Sequence, residues 1–449
     1  MSREEDRTEL LTRKIVDFLN IVLSSEHTQD FEYAFRTEKM WLGTEVGWHF
    51  FGLAEDGVKQ YKELTDDAVR KKPWNRLSQK YVQNQLNELY RKALSNIVRA
   101  AGSSILPLSL NPADVDDVRE QVNALVAEFD RQASEVWTIY LPISGIARIS
   151  GKSLKIGKAC LRYMTDADIG ALIDEVEAIF LAKRPEDVNG YLEVWRNGIR
   201  RLKGTVCATY RISGESDKAL ESAKEQVQNV LDLLTYFLSF KHSRDYKGAI
   251  RLQGEMAQSL RTTFLVSSVT KTCQLASEVT GAYMPVEFTR EDIKNMKMLG
   301  IFDLSQIIEK GQASPFQNTV LSGIRWFAAS ERQDTPEIEF VNLVTCLENC
   351  LTPGDSPIKA SIAEGCAILL KNELEDRLQL RETISKIYGT RSKILHSGGS
   401  IASEFEQAQL ADLRLIAQNL LAVLIGRIDE FKDKKDLLDW IMKQKLTSR

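Results

Sequence analysis

The chain has 449 residues, of which 43% are hydrophobic and 27% are charged. These proportions are ordinary for a folded soluble protein, and the length exceeds what one small core needs, so we expect two to four domains. The formal net charge of −4 gives the whole chain no attraction for nucleic acid. Any polyanion would therefore have to bind a local basic patch.

The sequence shows no pattern of export, of a membrane span or of a metal site. Residues 1–7 have no apolar core and do not resemble a signal peptide. The most apolar stretch, residues 415–426, is short and contains two side-chain amides, which favours a buried helix face. Cys346 and Cys350 lie one helical turn apart with no histidine nearby, so we interpret them as buried thiols. We expect a cytoplasmic protein with no cofactor, no metal and no membrane association.

Residues 1–135 are predicted to form an N-terminal helical region. Apolar side chains recur at helical spacing in residues 10–22 and again in residues 81–98. Asn111-Pro112 is a typical start for a third helix, which continues through Val126. Residues 41–53 are rich in glycine and aromatic side chains, and no element is assigned to them.

Residues 136–212 are predicted to form a small α+β module. Short segments that alternate with period two around glycines predict strands, and helices are expected at residues 166–181 and 192–201. Gly151-Lys152-Ser153 matches the end of a phosphate-binding loop, but Ile146 stands where the pattern needs glycine. The pattern of the segment also predicts a strand, a turn and a second strand. A phosphate-binding loop, in contrast, is followed by a helix. We therefore expect a plain hairpin turn.

Residues 213–312 are predicted to form a helical connecting region, and residues 313–449 a helical bundle. In the connecting region, helices are expected at residues 216–240, 257–276 and 290–298. The bundle is predicted to have four helices, at residues 316–329, 337–351, 358–388 and 403–431, the third bending between residues 372 and 380. Four long helices with short links predict an up-and-down bundle. The fold class is therefore mainly α, with one small α+β module.

Arg391 and His396 are the candidate catalytic residues. A guanidinium is permanently charged and an imidazole titrates near neutrality, and together they suffice to cleave a phosphodiester without a metal. A step of five residues in a regular helix leaves two side chains about 140° apart. One copy therefore aims both at one phosphate only if the helix ends there, as Gly398 and Gly399 suggest. Otherwise two copies must face each other across a two-fold axis.

The sequence from Tyr388 to Gly398, Tyr-Gly-Thr-Arg-Ser-Lys-Ile-Leu-His-Ser-Gly, resembles the end of the third helix of the HEPN domain. Together with Leu347-Glu348 in the second helix, it resembles more narrowly the ApeA-like branch of bacterial anti-phage proteins. The resemblance covers residues 313–435 well and the N-terminal part weakly. It implies a metal-independent endoribonuclease of abortive infection that acts as a homodimer through its C-terminal bundle.

The resemblance implies that Arg391 and His396 carry the reaction, that RNA is the substrate and that a phage-derived trigger activates the protein. Ser392 departs from the asparagine, aspartate or histidine that often follows the arginine, which puts full activity in doubt. Glu348, Tyr388, Ser392 and Lys393 are expected to have supporting roles only.

A structural interpretation competes with the catalytic one. Arg391 could pair with Glu348, and His396 could simply complement the negative end of a helix dipole. The bundle would then be an inactive RNA-binding or protein-interaction module. No spacing of histidine and carboxylate favours a metal-dependent enzyme.

Two basic runs are weaker candidates for RNA contacts. The first contains Arg196, Arg200, Arg201 and Lys203 beside Trp195. The second is Lys-Lys-Pro-Trp-Asn-Arg at residues 71–76. Each run is more often an ordinary solvated face than a nucleic-acid site.

Overall fold

The computed structural model of the chain is mainly helical, with several small β-sheets. It describes residues 3–25, 27–28, 40–44, 50–53, 55–101, 110–183, 188–241, 250–252, 260–266, 273–279, 286–333, 335–353 and 357–447. His49 and His242 lie outside the described residues. The contacts between Cα atoms divide the chain into two units, Met1–Thr138 with Arg211–Ala223, and Ile139–Tyr210 with Lys224–Arg449. The predicted division into four domains stays a prediction.

The described part of the first unit contains four α-helices around an aromatic core, as its apolar periodicity predicts. The Phe18 and Tyr90 rings lie 4.7 Å apart in this core, and both side chains are buried. Asn111 begins the fourth helix with a capping box, because its side chain accepts a hydrogen bond from the Asp114 amide. The helices are α1 (Arg3–Leu23), α2 (Glu55–Arg70), α3 (Gln79–Ala101) and α4 (Pro112–Ser134).

The segment that the sequence left unassigned contributes a small sheet to the first unit. Its strands β2 (Trp41–Gly43) and β3 (Phe50–Gly52) pair with β1 (His27–Thr28) in the order β1-β3-β2. Glu215, which also belongs to this unit, accepts hydrogen bonds from the backbone amides of Ser78 and Asp217. Its carboxylate thereby caps the start of the helix that follows.

The second unit opens with the predicted strands, which join a five-stranded sheet and a separate pair. The sheet order is β6-β7-β8-β4-β9, and β5 pairs in parallel with β12. Residues 151–153 form a bend between β5 and β6, and no helix follows them. The predicted hairpin turn is wrong, because β5 pairs with β12 and not with β6. The strands are β4 (Val136–Ser144), β5 (Ile146–Ile149), β6 (Leu154–Ile156), β7 (Ala159–Tyr163), β8 (Val206–Ser213), β9 (Arg251–Leu252) and β12 (Val286–Phe288).

The predicted helix at residues 257–276 is wrong wherever the structure describes it. Residues 260–266 and 273–279 form the antiparallel strands β10 (Leu260–Val266) and β11 (Cys273–Val279). Thr262, Thr263 and Val266 are β-branched residues, which lose side-chain freedom in a helix and favour strands. The helix prediction used only the apolar spacing and did not take this preference into account. The remainder of that predicted helix lies outside the described residues.

The other helices of this region follow the predictions closely. They are α5 (Asp166–Lys183), α6 (Val188–Arg200), α7 (Ser216–Lys241) and α8 (Arg290–Met298). The helix α9 (Ile301–Lys310) was not predicted. Tyr236 of α7 donates a hydrogen bond to the backbone carbonyl of Gln418 at 3.2 Å. The second half of α7 therefore packs against the C-terminal helices.

Six helices, and not four, occupy the described part of residues 313–449. They are α10 (Pro315–Glu331), α11 (Pro336–Leu351), α12 (Ile358–Leu370), α13 (Leu374–Ser397), α14 (Glu404–Gly426) and α15 (Lys434–Thr447). The predicted third helix is interrupted at Lys371, whose backbone is extended. The carbonyl of Lys371 accepts a hydrogen bond from the Arg377 side chain at 2.9 Å, which satisfies the end of α12.

The helix predicted to reach residue 431 ends at Gly426, and α15 was not predicted. The buried residues of α15 are Leu437 and Ile441. Two apolar positions in a charged segment give too weak a periodicity to predict a helix. By length and composition, α14 alone among the described helices could cross a membrane. Its side chains Leu413, Leu420 and Leu424 are completely buried, and one such helix is weak evidence, so a soluble protein is compatible with the structure.

Candidate active site

The C-terminal turns of α13 carry most of the candidate residues. Packing fixes the orientation of this helix, because Ile384, Ile387 and Thr390 are buried. The Thr390 hydroxyl also donates a hydrogen bond to the side-chain oxygen of Gln409 in α14, at 2.8 Å. The accessible faces of these turns carry the candidate residues Tyr388, Arg391, Ser392, Lys393 and His396.

The helix ends after His396 and not before it. The α-helix continues to Ser397, and Gly398 then adopts φ 63°, the left-handed conformation that glycine takes without strain. The amides of Gly398 and Gly399 both point to the Lys393 carbonyl. Arg391 and His396 therefore belong to one regular helix, which continues beyond the predicted end near Tyr388.

Arg391 lies in a polar cluster with Glu348 of α11 and Tyr388. Its Nη2 atom is 3.4 Å from Oε1 of Glu348, with side-chain exposures of 25% and 19%. The Tyr388 hydroxyl donates to the same carboxylate oxygen at 3.2 Å, and the guanidinium lies 5.5 Å from the Tyr388 ring centre. Burial, followed by the charge of Glu348, raises the pKa of Tyr388. Glu348 thus holds Arg391 in place while part of the guanidinium stays accessible.

His396 is exposed in the last turn of α13. Its imidazole makes no hydrogen bond or ion pair within the described part of the chain. The ring is therefore accessible to a ligand from solution.

The two candidate catalytic side chains do not converge within one copy. Five helical residues turn the second side chain by about 140° and raise it by about 7.5 Å along the axis. Arg391 faces Glu348, whereas His396 faces solvent. A single phosphodiester in contact with both groups would need a second copy of the helix.

The loop after His396 is fixed by a residue that sequence reasoning missed. Glu337, in the first turn of α11, accepts a hydrogen bond from the Ile401 amide at 2.7 Å. Leu395 and Phe405, which flank this loop, are 47% and 64% exposed. The sequence offers no local signal for the Glu337 contact, because it joins segments far apart in the chain.

The first basic run is largely neutralised by neighbouring carboxylates. Arg196 pairs with Glu177 at 2.7 Å, Arg200 with Glu193 at 3.4 Å, and Lys203 with Asp166 at 2.7 Å. Arg201 is exposed. The structure therefore favours the interpretation as a solvated face.

The second basic run loses its aromatic side chain to the core of the first unit. Trp74 is only 3% exposed, and its indole nitrogen donates to Asp130 at 2.7 Å. It is therefore not available to stack on a base, and the proposed RNA contact at residues 71–76 has no support.

Cys346 and Cys350 are buried free thiols, as predicted. A hydrogen bond with Cys350 and burial together raise the pKa of Cys346, which keeps that thiol protonated. Within the described residues, no group of three or more histidine, cysteine, aspartate or glutamate side chains is placed to hold a metal ion.

No match to this chain is found among protein-family models, curated proteins or solved structures. The resemblance to the HEPN domain rests on the residues quoted above.

Proposed function

We propose that the chain is a metal-independent endoribonuclease of the HEPN type, similar to the ApeA-like branch. The observation that carries this proposal is an exposed His396, which has no partner in the described part of the chain, on the same helix as the partly exposed, ion-paired Arg391. In this proposal the protein acts in the cytoplasm in anti-phage defence by abortive infection, and a phage-derived trigger releases its activity.

RNA supplies its own nucleophile, the 2′-hydroxyl. Attack of this oxygen on the adjacent phosphorus displaces the 5′-oxygen and leaves a 2′,3′-cyclic phosphate and a free 5′-hydroxyl. His396 would transfer protons in this step, and Arg391 would stabilise the negative charge on the phosphoryl oxygens. DNA lacks the 2′-hydroxyl, so the substrate is RNA.

The ion pair with Glu348 is compatible with this role of Arg391. A partly exposed pair contributes about 0–1 kcal/mol, whereas a phosphate can accept two parallel hydrogen bonds from a guanidinium. An incoming phosphate can therefore share Arg391 with Glu348. Glu348 is accordingly a positioning residue, since it acts on the substrate only through Arg391.

The active form is proposed to be a homodimer through the C-terminal bundle. The separation of Arg391 and His396 around the axis of α13 supports this proposal. The exposed Leu395 and Phe405 beside the loop after His396 provide apolar surface for a second copy.

The same geometry also favours a second candidate function. Arg391 already pairs with Glu348 and lies beside Tyr388. An arginine with a purely structural role would make the same contacts. The bundle would then be an inactive module that binds RNA or protein.

Incubation of the purified chain with total RNA in excess EDTA separates the two candidates. We expect the wild type to cleave RNA and to leave 2′,3′-cyclic phosphate ends. His396→Ala and His396→Gln should lower the rate by roughly a hundredfold or more, because both remove the group that transfers the proton. The products can be identified because their 5′-hydroxyl ends accept a labelled phosphate directly, whereas their 3′ ends resist ligation until the cyclic phosphate is removed.

Lys386→Ala is the matched control on the same helix. Lys386 is an exposed cation paired with Glu382 at 2.8 Å, and its loss should leave the rate unchanged. Equal cleavage by wild type and His396→Ala would remove His396 from the mechanism. Absence of cleavage by the wild type, also after addition of a phage lysate, would favour the inactive module.

A further inference from the structure

A second site of different character lies in the sheet region of the second unit. A cleft of about 780 Å³ is lined by the turn after β5, by β7 and by the start of α5. This volume lies in the range of small-molecule binding sites. None of the residues proposed for RNA cleavage takes part in it.

Three cationic side chains line this cleft, Arg148, Lys152 and Arg162. Arg148 and Lys152 are exposed, and neither has an acidic partner within the described residues. Among the lining residues that the structure describes, Asp168 alone is acidic. The cleft therefore has a local positive charge although the whole chain is slightly acidic, and it would attract an anion.

Arg162 is only partly neutralised by Asp168. Its Nη1 atom lies 3.3 Å from the Asp168 carboxylate, which also accepts hydrogen bonds from the backbone amide and the hydroxyl of Thr165. The Nε atom of Arg162 is shielded from solvent and has no acceptor in the described part of the chain. The ion pair with Asp168 therefore leaves hydrogen-bonding capacity of the Arg162 guanidinium unused.

The cleft also has an aromatic side chain at its edge. Tyr163 is one of the lining residues and is 44% exposed. An exposed ring next to cationic side chains suits a ligand that joins a planar ring to phosphate groups. Gly151-Lys152-Ser153 is part of the same cleft, but no helix follows it, so side chains and not helix amides would hold the anion.

We propose that this cleft binds a nucleotide, with its phosphates at Arg148, Lys152 and Arg162 and its base against Tyr163. Residues 151–153 do not match the sequence pattern of a phosphate-binding loop. They nevertheless contribute Lys152 to a site that holds the anion with side chains. Binding here involves neither Arg391 nor His396, so it is separate from RNA cleavage.

Isothermal titration of the purified full chain tests the proposal, with ATP, GTP, pyrophosphate and adenosine as separate ligands. We expect saturable binding of at least one nucleotide, and weaker binding of pyrophosphate and of adenosine. The double variant Arg148→Gln/Lys152→Gln should weaken nucleotide binding by about tenfold or more. Lys155→Gln is the matched control, since Lys155 is exposed on β6 but is not among the lining residues.

Tyr163→Leu separates the contribution of the base from that of the phosphates. We expect this variant to bind the nucleotide less tightly and pyrophosphate unchanged. All substituted residues are exposed, and circular dichroism should confirm that each variant folds as the wild type does. Equal affinity for pyrophosphate and nucleotide, or no nucleotide binding by the wild type, would overturn the proposal. Tighter binding of a short RNA than of any nucleotide would also overturn it.

Discussion

At the scale of single residues, Glu348 decides whether the polar cluster on α13 serves catalysis or structure. Its carboxylate receives hydrogen bonds from Tyr388 and lies 3.4 Å from Arg391. If Arg391 contacts RNA, a neutral Glu348 must misplace the guanidinium. If the cluster is only structural, the same change affects stability alone.

We therefore expect Glu348→Gln to lower the RNA-cleavage rate roughly tenfold, because a small misplacement of a catalytic group is costly. The shape of the pH–rate profile should not change, since His396 still transfers the proton. Steady-state rates measured across neutral pH test this. Tyr388→Phe is the control, and it should keep the rate within about threefold, since the ring and Glu348 remain. A Glu348→Gln variant with full activity but a lower melting temperature would identify the cluster as structural.

In the first unit, one carboxylate gives a pH dependence of stability. A bidentate hydrogen bond with Arg131, supported by Gln132 and Tyr81, lowers the pKa of Glu128 from its ordinary value of 4.5 to about 2. A lowered pKa means that the ionised group stabilises the fold. This contribution is fully present above the ordinary value and is lost as the pH falls towards about 2.

Glu128→Gln should therefore lower the melting temperature by about 2 °C at neutral pH, a small effect because the pair is largely exposed. The difference from wild type should shrink as the pH falls from about 5 towards 2. Thermal unfolding followed by circular dichroism at several pH values measures it. Glu120→Gln, on the same helix and exposed, is the control, and a difference that does not vary with pH would contradict the assignment.

At the scale of elements, the packing of α10 against α11 and α14 in the C-terminal bundle depends on a close approach at Gly323. A Cβ atom on Gly323 of α10 would lie 2.9 Å from the Cys350 sulfur and 2.9 Å from a Leu421 methyl group. These atoms belong to α11 and α14. The absence of a side chain at Gly323 therefore allows the three helices to pack together.

We expect Gly323→Ala to destabilise the protein by about 1–3 kcal/mol through overpacking. Gly389→Ala is the matched control in α13, where a Cβ would meet nothing within 4 Å, and it should stabilise by about 0.5–1 kcal/mol. Urea unfolding of both variants gives the comparison. A Gly323→Ala variant at least as stable as the wild type would show that the packing of α10 tolerates a methyl group.

The elements also show how far sequence patterns reach. Residues 216–240 have continuous apolar periodicity, and the helix is found where it was predicted. Lys371 was not recognised as a helix end, since the apolar rows continue on both sides of it. The apolar spacing of residues 260–266 is compatible with a helix or a strand. These residues form a strand because they pair with β11.

At the scale of the whole molecule, we propose that the active site is complete only in a dimer. A composite site would take Arg391 from one copy and His396 from the other. Mixed dimers of Arg391→Ala and His396→Ala would then contain one intact pair. Sites built within one copy would contain none.

We expect an equimolar mixture of these two inactive variants, after exchange of subunits, to recover about a quarter of the wild-type activity, since half of the dimers are mixed and each has one intact site. Light scattering coupled to size exclusion should give the mass of a dimer. Mixing each variant with itself is the control. A monomer that still cleaves RNA, or a mixture without activity although mixed dimers form, would contradict the composite site.

The sequence by itself determined the local structure, namely most helices, the strands of residues 136–212 and the glycine at the end of α13. It could do so because helix and strand periods, capping residues and glycine conformation act between near neighbours. It also indicated Arg391 and His396 through their residue types and spacing. The pairing of Arg391 with Glu348 remained one alternative among others.

Only the tertiary structure decided which distant segments meet. It placed Glu348 beside Arg391, buried Trp74, and paired β5 with β12. It also gathered the cations of the nucleotide cleft from β5, the following turn and β7. The physical reason is that each surface of an element has many possible partners, and the choice among them depends on packing of the whole core rather than on local pattern.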